Sequence, residues 1–247
     1  MNKYELLREK YIAFDEEVRP LVKDVNQREV GNDDKLAYPL LLKDWGYYEA
    51  EKRLMIFGQE TNGWGDKGDC IYGDRDDTDV DVLLDRYFKF FNDGDVKHPG
   101  PFWNIVKQFV KVAREKYNGD QEDVQYLWNN LVKVGKQGIG RPDKHYGTVI
   151  KPHFNRLILT EIELLEPDYI VFFTGPDYDF VLNDVFGNPE KCVVDGFSEK
   201  ELCELKLPCP NVKKAFRTYH PQFLSRNNPN RPYKEFLDRI VGEILET

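Results

Sequence analysis

The sequence has few of the residues that build metal clusters and disulfide scaffolds. It contains four histidines and four cysteines, namely Cys70, Cys192, Cys203 and Cys209. No two cysteines form a C-x-x-C pair, and none of their spacings matches a common zinc or iron–sulfur motif. The histidines are too scattered along the chain to predict a metal cage. We therefore expect free thiols in a reducing compartment, and neither a metal nor another cofactor.

The sequence also lacks an apolar run of the length that crosses a bilayer, about 18 residues. Residues 1–9 are charged and polar, so we expect no cationic leader followed by an apolar stretch. The hydrophobic content of 40% and the aromatic content of 14% are high enough to fill a sizeable core. We expect a folded, monomeric, cytoplasmic protein with no membrane partner.

Acidic residues outnumber basic ones, but they are unevenly distributed. The formal net charge is −9, and residues 66–95 alone hold ten aspartates against four basic residues. In contrast, residues 205–234 hold seven basic residues and no acidic one, and residues 132–156 hold six basic residues and one aspartate. Net negative charge argues against a nucleic-acid partner. The two basic segments keep such a partner open, although they can equally be solvated surface.

Apolar runs that alternate with amphipathic segments predict an α/β protein. The predicted strands are 53–58, 126–134, 168–175 and 214–219, and the predicted helices are 79–92, 102–116, 156–165, 177–186 and 233–245. Within the first and third of these strands, residues 54–57 and 169–173 are apolar without interruption, which is typical of strands covered on both faces. We predict a three-layer α/β/α fold with a central, mostly parallel, four-stranded sheet. We expect one domain over residues 1–247, with residues 1–52 as an N-terminal helical extension packed on it.

The aspartates at positions 77, 79 and 81 raise the alternative of a calcium loop. Such a loop needs a glycine at its sixth position and a glutamate at its end, but this chain has Val82 and Phe88 there. We exclude a calcium site. We expect Asp79 and Asp81 to lie in the first turn of the helix at 79–92, where the helix dipole favours them, and Asp77 to be one of the capping side chains before it.

Three polar motifs lie at or near the ends of predicted strands, where parallel sheets bind ligands, and the second of them interrupts the strand predicted at 126–134. They are Gly58-Gln59-Glu60-Thr61-Asn62, Trp128-Asn129-Asn130 and Tyr219-His220-Pro221-Gln222-Phe223-Leu224-Ser225-Arg226. Each motif also has an ordinary structural explanation. The first can be a strand-to-loop turn, the amides of the second can bond neighbouring backbone, and a His-Pro pair such as the third is by itself a weak signal of function. A histidine held rigidly by a following proline is nevertheless what a donor to a developing anion requires.

Taken together, these motifs resemble the uracil-DNA glycosylase superfamily over roughly residues 50–245. Its opening motif is Gly-Gln-Asp-Pro-Tyr-His and its closing motif is His-Pro-Ser-Pro-Leu-Ser. The corresponding residues here are Gly58-Gln59-Glu60-Thr61-Asn62-Gly63 and His220-Pro221-Gln222-Phe223-Leu224-Ser225. Asn130-Leu131-Val132-Lys133 resembles the base-recognition segment of the iron–sulfur branch, and Trp64-Gly65 to Tyr72-Gly73 resembles the single-strand-selective branch.

The resemblance implies a DNA partner, single- or double-stranded, with a flipped base. Glu60 is then the carboxylate that positions or activates water, and His220 stabilises the departing base anion. Gly58, Gln59, Asn62 and Asn130 bind the base, and Tyr72 stacks on it. Leu224 wedges into the vacated base stack, while Ser225, Arg226, Lys213 and Lys214 contact the DNA.

The sequence departs from the family pattern in ways that affect specificity. Thr61 replaces a proline, Asn62 replaces the aromatic residue that excludes a 5-methyl group, and Phe223 replaces the second proline of the closing motif. We expect a DNA glycosylase that removes uracil or another deaminated or damaged base. The alternatives are a glycosylase-fold protein that binds nucleic acid or a nucleobase without cleaving it, and an acidic interaction protein with a decayed site.

Overall fold

The structure is a computed structural model that describes residues 2–28, 35–43, 46–61, 64, 71–72, 80–92, 99–117, 123–136, 146–226 and 231–245. Within these residues the α-helices are α1 (Lys3–Gln27), α2 (Val80–Asn92), α3 (Pro101–Tyr117), α4 (Lys151–Leu165), α5 (Asp179–Phe186), α6 (Pro221–Ser225) and α7 (Tyr233–Leu245). The strands are β1 (Leu36–Pro39), β2 (Lys52–Glu60), β3 (Val124–Val132), β4 (Val134–Lys136), β5 (Tyr169–Phe173), β6 (Glu190–Val193), β7 (Leu202–Lys206) and β8 (Lys214–Thr218).

The chain divides into two compact units. The helical unit comprises Met1–Lys43, Glu60–Asp93 and Asn130–Leu165, and the sheet unit comprises Asp44–Gln59, Gly94–Asn129 and Glu166–Thr247. The strands β2 and β3 each begin in the sheet unit and end in the helical unit. The organisation as one domain with an extension at residues 1–52 stays a prediction.

A six-stranded sheet with the order β3-β2-β5-β8-β7-β6 is the centre of the fold. The strands β2, β5 and β8 run parallel, whereas β7 is antiparallel to β8 and β6 is antiparallel to β7. In the parallel register, Ile56 lies beside Val171 and Val171 beside Phe216. The predicted α/β class is confirmed, and the sheet has two more strands, β6 and β7, than the four that the sequence indicated.

In the sheet unit, helices cover the sheet on both faces. Alternate strand residues such as Leu54, Ile56 and Val171 belong to a core shared with α3 and α7. Their neighbours in the strands point the opposite way. On that opposite face the Phe172 ring lies 4.8 Å from the Phe57 ring and 5.6 Å from the Phe186 ring of α5. This gives three layers, with the sheet between α3 and α7 on one side and α5 on the other.

The helical unit is organised around α1 and α4. The helix α1 starts with a capping box, in which the Asn2 side chain accepts from the Glu5 N–H and the Glu5 side chain accepts from the Asn2 N–H. The Phe14 ring of α1 packs edge-on against the Phe154 ring of α4 at 5.0 Å. The strands β1 and β4 form a separate antiparallel pair. No helix in the described ranges is long and apolar enough to cross a membrane.

Candidate active site

The carboxyl end of β2 is tied to the segment that follows β5. Gln59 Nε2 donates a hydrogen bond of 2.6 Å to the main-chain oxygen of Thr174. Gly58 is buried inside β2, which continues to Glu60, two residues beyond the end of the strand predicted at 53–58. The amide of Gln59 therefore fixes the strand end from which Glu60 continues.

A second connection joins the ends of β5 and β8. The Gly175 N–H donates to the Thr218 oxygen at 2.9 Å. Gly175 has a φ of +74°, a conformation that glycine adopts without steric cost. The chain after β8 is thereby held against the chain after β5, and His220 follows two residues beyond Thr218. In the sheet unit, Gln59 and His220 thus lie at the same edge of the sheet, as the sequence predicted for the two strands.

His220 has a defined orientation because it caps α6. Its Nδ1 accepts a hydrogen bond of 3.2 Å from the Gln222 N–H. An accepting Nδ1 carries no proton, so the neutral ring has its proton on Nε2. Burial lowers the pKa of His220 below its ordinary value, which favours this neutral form. The half-buried ring therefore presents an N–H donor at the carboxyl edge of the sheet.

An aromatic cluster in the sheet unit lies beside His220. The ring of Phe102, in the first turn of α3, is 6.1 Å from the His220 ring with an angle of 32° between the planes. Phe102 also contacts Trp103 at 5.1 Å, and Trp103 contacts Trp128 of β3 at 5.0 Å. This apolar wall desolvates the imidazole. Sequence reasoning had not assigned Phe102 to the site, and the only signal was its place after Pro101 at the start of a helix.

The helical unit contains Glu60, Thr61 and Asn130. Glu60 is half-buried at the end of β2, and Thr61 is only 3% exposed. The main chain of Gly135 passes so close to Thr61 that a Cβ at position 135 would lie 2.1 Å from the Thr61 oxygen. The residue after Glu60 is thus held by close backbone contact instead of by the proline of the family motif. Asn130 is buried in β3, and Asn62 lies outside the described residues.

Tyr72 is placed differently from what its predicted role requires. Its side chain is completely buried, its hydroxyl donates to Asp15 at 2.7 Å, and its ring packs 5.9 Å from that of Tyr38. Burial, with the Asp15 carboxylate beside it, raises the pKa of Tyr72 well above the ordinary value. A ring without an accessible face cannot stack on a base, so this placement argues against the predicted stacking role.

Leu224 also departs from its predicted role. It is 5% exposed and belongs to the core formed with α3 and α7, whereas a wedge must be reachable by DNA. Ser225 and Arg226, which follow it, are exposed. The Ser225 hydroxyl donates to the Gln222 oxygen at 3.0 Å. Ser225 and Arg226 are therefore accessible enough for the DNA contact predicted for them.

Lys213 and Lys214 lie at the wrong end of β8 for the proposed contact. They are at its amino end, and the strand of five residues separates them from the carboxyl edge by about 16 Å. Lys213 pairs with Asp168 at 3.0 Å, and Lys214 pairs with Glu243 at 2.9 Å. This placement argues against a DNA contact of Lys213 and Lys214 beside His220. Both lysines instead form ion pairs within the sheet unit.

The remaining positive charge of residues 205–234 is also largely paired. Arg217 is 3.0 Å from Asp179, Arg231 is 3.5 Å from Glu201, and Lys206 is 2.5 Å from Glu204. The basic segment is therefore mainly the cationic half of ion pairs. In the described part of the chain, no group of three or more His, Cys, Asp and Glu side chains is arranged to hold a metal ion.

These features define an α/β protein with a mostly parallel sheet, in which an amide and a carboxylate end one strand and a neutral histidine follows another. The family model for the uracil DNA glycosylase superfamily matches residues 45–241. The chain belongs to the uracil DNA glycosylase superfamily, and the resemblance stated from the sequence motifs is confirmed. A search of the curated proteins finds no significant match.

Proposed function

We propose that this protein is a DNA glycosylase that removes uracil, or another deaminated or damaged base, by hydrolysis of the N-glycosidic bond. Its superfamily membership supports an activity on DNA. The observation that carries the proposal is the hydrogen bond from the Gln222 N–H to His220 Nδ1, because it turns a protonated Nε2 outward from the cap. Such a donor suits a reaction in which a base departs as an anion.

His220 acts as an electrophile toward the departing base. As the N-glycosidic bond breaks, its electron pair goes to the base, and negative charge accumulates on a base oxygen. The Nε2–H donates a hydrogen bond to that oxygen, and comparable donors in oxyanion sites contribute about 3–4 kcal/mol. The lowered pKa of His220 favours the neutral ring, in which Nδ1 accepts from the Gln222 N–H and Nε2–H is the donor.

Glu60 acts on the sugar side of the same bond. The transition state of N-glycosidic cleavage has oxocarbenium character, which a nearby carboxylate stabilises. Water then adds to the anomeric carbon, and a general base accepts its proton. Glu60 is suited to these tasks because it follows the anchored Gln59 and precedes Thr61, whose backbone is held against Gly135.

The other assigned residues recognise the base and the strand. We propose that Asn130 forms hydrogen bonds with the edge of the flipped base, and that Gly58, Gln59 and Asn62 also bind this base. Ser225 and Arg226 contact phosphate. Tyr72, Leu224, Lys213 and Lys214 are not included, for the reasons of placement given above. We also propose that the protein acts as a monomer in the cytoplasm; the free thiols at Cys192, Cys203 and Cys209 are compatible with such a reducing compartment.

The test is a cleavage assay on oligonucleotides that contain uracil, hypoxanthine, xanthine or a thymine mispair, in single- and double-stranded form. We expect abasic product from the wild type on at least one substrate. His220→Ala should lower kcat by about 10²–10³-fold, the effect of losing one such donor. Glu60→Gln should abolish turnover and retain DNA binding, because the amide keeps the shape but cannot accept a proton.

The matched control is His153→Ala, which removes a histidine that contacts Glu17 in the helical unit. It should leave the cleavage rate unchanged. If the wild type binds DNA but releases no base from any substrate, the enzymatic proposal is wrong and the binding protein of the same fold replaces it. If Glu60→Gln retains full turnover, the role of Glu60 is wrong.

A further inference from the structure

The exposed apolar side chains of the closing motif are not where the family pattern places them. Leu224 is 5% exposed, whereas the preceding Phe223 is 47% exposed. Phe223 is one of four large apolar side chains exposed among the described residues, together with Val82, Phe180 and Val193. It lies three residues after His220, within one turn of the proposed catalytic donor.

The geometry of α6 explains why only one of the two residues can face outward. The His220 oxygen accepts from the Phe223 N–H at 2.8 Å and from the Leu224 N–H at 3.1 Å, which fixes the turn. Successive residues on a helix point about 100° apart. Because Leu224 faces the core shared with α3 and α7, Phe223 is turned away from that core.

Phe223 is supported in its exposed position. Its ring lies 4.4 Å from the Tyr219 ring, with an angle of 40° between the planes. Tyr219 in turn packs 6.1 Å from Phe236 of α7. The tilted Tyr219 ring, itself supported by Phe236, therefore backs one side of Phe223, while about half of the Phe223 surface remains open to solvent. An exposed aromatic ring on a rigid support is suited to contact with an apolar partner.

Given the proposed function, on which this inference rests, we propose that Phe223, and not Leu224, is inserted into the base stack of duplex DNA when the target nucleotide is flipped. Apolar side chains that enter a base step replace part of the lost stacking and keep the step open. A phenyl ring stacks on the neighbouring bases, and Arg226 follows on the same segment to contact phosphate. The substrate class of this site is accordingly a duplex that contains the damaged base.

The experiment compares duplex and single-stranded substrates that carry the same base. Phe223→Ala should lower kcat/KM on the duplex by on the order of tenfold to a hundredfold, the range expected for loss of one stacking side chain. On the single strand the loss should be less than about threefold, since no paired stack has to be held open. Phe223→Leu should retain most of the duplex activity. Phe180→Ala, an equally exposed phenylalanine on α5, is the matched control and should behave as wild type.

A second readout separates this inference from the proposed function. A duplex with 2-aminopurine next to the target base should brighten when the protein binds and unstacks the step, and Phe223→Ala should remove that increase. If the wild type cleaves, but Phe223→Ala lowers kcat/KM equally on both substrates or on neither, the role of Phe223 is wrong. The proposal of a glycosylase is then unaffected. If the wild type cleaves nothing, the function is wrong, and the 2-aminopurine signal alone decides the role of Phe223.

Leu224→Ala provides the opposite comparison. Because Leu224 is a core residue, its truncation should lower the unfolding midpoint. It should change duplex and single-strand activity by the same factor. A duplex-specific loss in Leu224→Ala at unchanged stability would restore Leu224 as the inserted residue and overturn the assignment of Phe223.

Discussion

Lys133 is the last residue of the motif Asn130-Leu131-Val132-Lys133, but its side chain is part of the protein core. Its side chain is fully buried, and Nζ lies 2.6 and 2.7 Å from the two carboxylate oxygens of Glu161. The Tyr11 hydroxyl donates to the same carboxylate at 2.8 Å and accepts from the Leu42 N–H at 3.1 Å. Burial lowers the pKa of Lys133, and Glu161 counteracts this shift. The network joins α1, α4 and the β3–β4 segment of the helical unit.

Replacing Lys133 by methionine should destabilise the helical unit by about 3–5 kcal/mol, because the Glu161 carboxylate is left buried without its cation. Urea unfolding followed by circular dichroism measures the change. The double variant Lys133→Met/Glu161→Leu should recover much of the loss, since it removes both charges and keeps apolar volume. Equal stability of wild type and Lys133→Met would show that the ion pair does not hold this unit together.

The sequence indicated which residues belong to the candidate site, but not the direction in which their side chains point. The motif around His220 was found because His-Pro after a strand is locally unusual. Which of Phe223 and Leu224 faces solvent depends on how α6 packs against α7 and against α3, and α3 ends more than 100 positions earlier in the sequence. The burial of Tyr72 likewise depends on Asp15, which is 57 positions earlier. Local patterns carry no information on such contacts.

At the scale of elements, the amino ends of three strands meet at Asp168. Its carboxylate accepts from the Arg53 main-chain N–H at 3.0 Å and from Arg53 Nε at 3.1 Å, at the start of β2. Lys213, just before β8, is 3.0 Å from the other oxygen. Burial alone would raise the pKa of Asp168, but the hydrogen bonds from Arg53 and Lys213 outweigh it, and the pKa is lowered. Asp168 thus joins β2, β5 and β8 at the edge opposite the site.

Asp168→Asn should cost about 2 kcal/mol of unfolding free energy at pH 7, the contribution of hydrogen bonds to a charged group. Because the folded pKa is below the unfolded value of about 3.9, the unfolded state takes up the proton first as the pH falls. The contribution of Asp168 is therefore complete above about pH 4 and is lost below it, through the lowered folded pKa.

Denaturant titrations of wild type and Asp168→Asn at pH 7, 5, 4 and 3 measure this contribution. The difference between the two proteins should be constant between pH 7 and 5 and should shrink below pH 4. Asp184→Asn, on α5, is a matched control without a role in this junction. A difference that grows toward low pH would contradict the assignment of Asp168.

The sequence predicted long elements better than short ones. The helix at 233–245 has the predicted bounds because its apolar residues recur at helical spacing over several turns. The strands β6 and β7 were missed, since each has only four or five residues and mixes charged with apolar side chains. Their pairing beside β8 provides the context that their own sequence lacks. Short strands of this composition are specified mainly by the strands beside them.

Over the whole molecule, the net charge of −9 and the pairing of the basic residues limit how strongly DNA can be attracted. Seven cations in residues 205–234 would release many counterions if all contacted phosphate. Five of them instead pair with carboxylates in the sheet unit, namely Lys206, Lys213, Lys214, Arg217 and Arg231. Specific contacts near the site therefore have to supply the DNA-binding free energy that a broad positive surface does not supply.

Arg226 is the cation of this segment that we expect to contact phosphate, since it is exposed and lies six residues after His220. A plot of log Kd against log salt should become shallower by about 0.9 in Arg226→Gln, the value for one lost phosphate contact on duplex DNA. Lys213→Gln is the matched control, because it removes an equal charge from the opposite edge of the sheet, and its slope should equal that of the wild type. Fluorescence anisotropy between 50 and 200 mM salt measures all three slopes. If Lys213→Gln lowers the slope and Arg226→Gln does not, DNA approaches the amino edge of the sheet, and the site must be sought there instead.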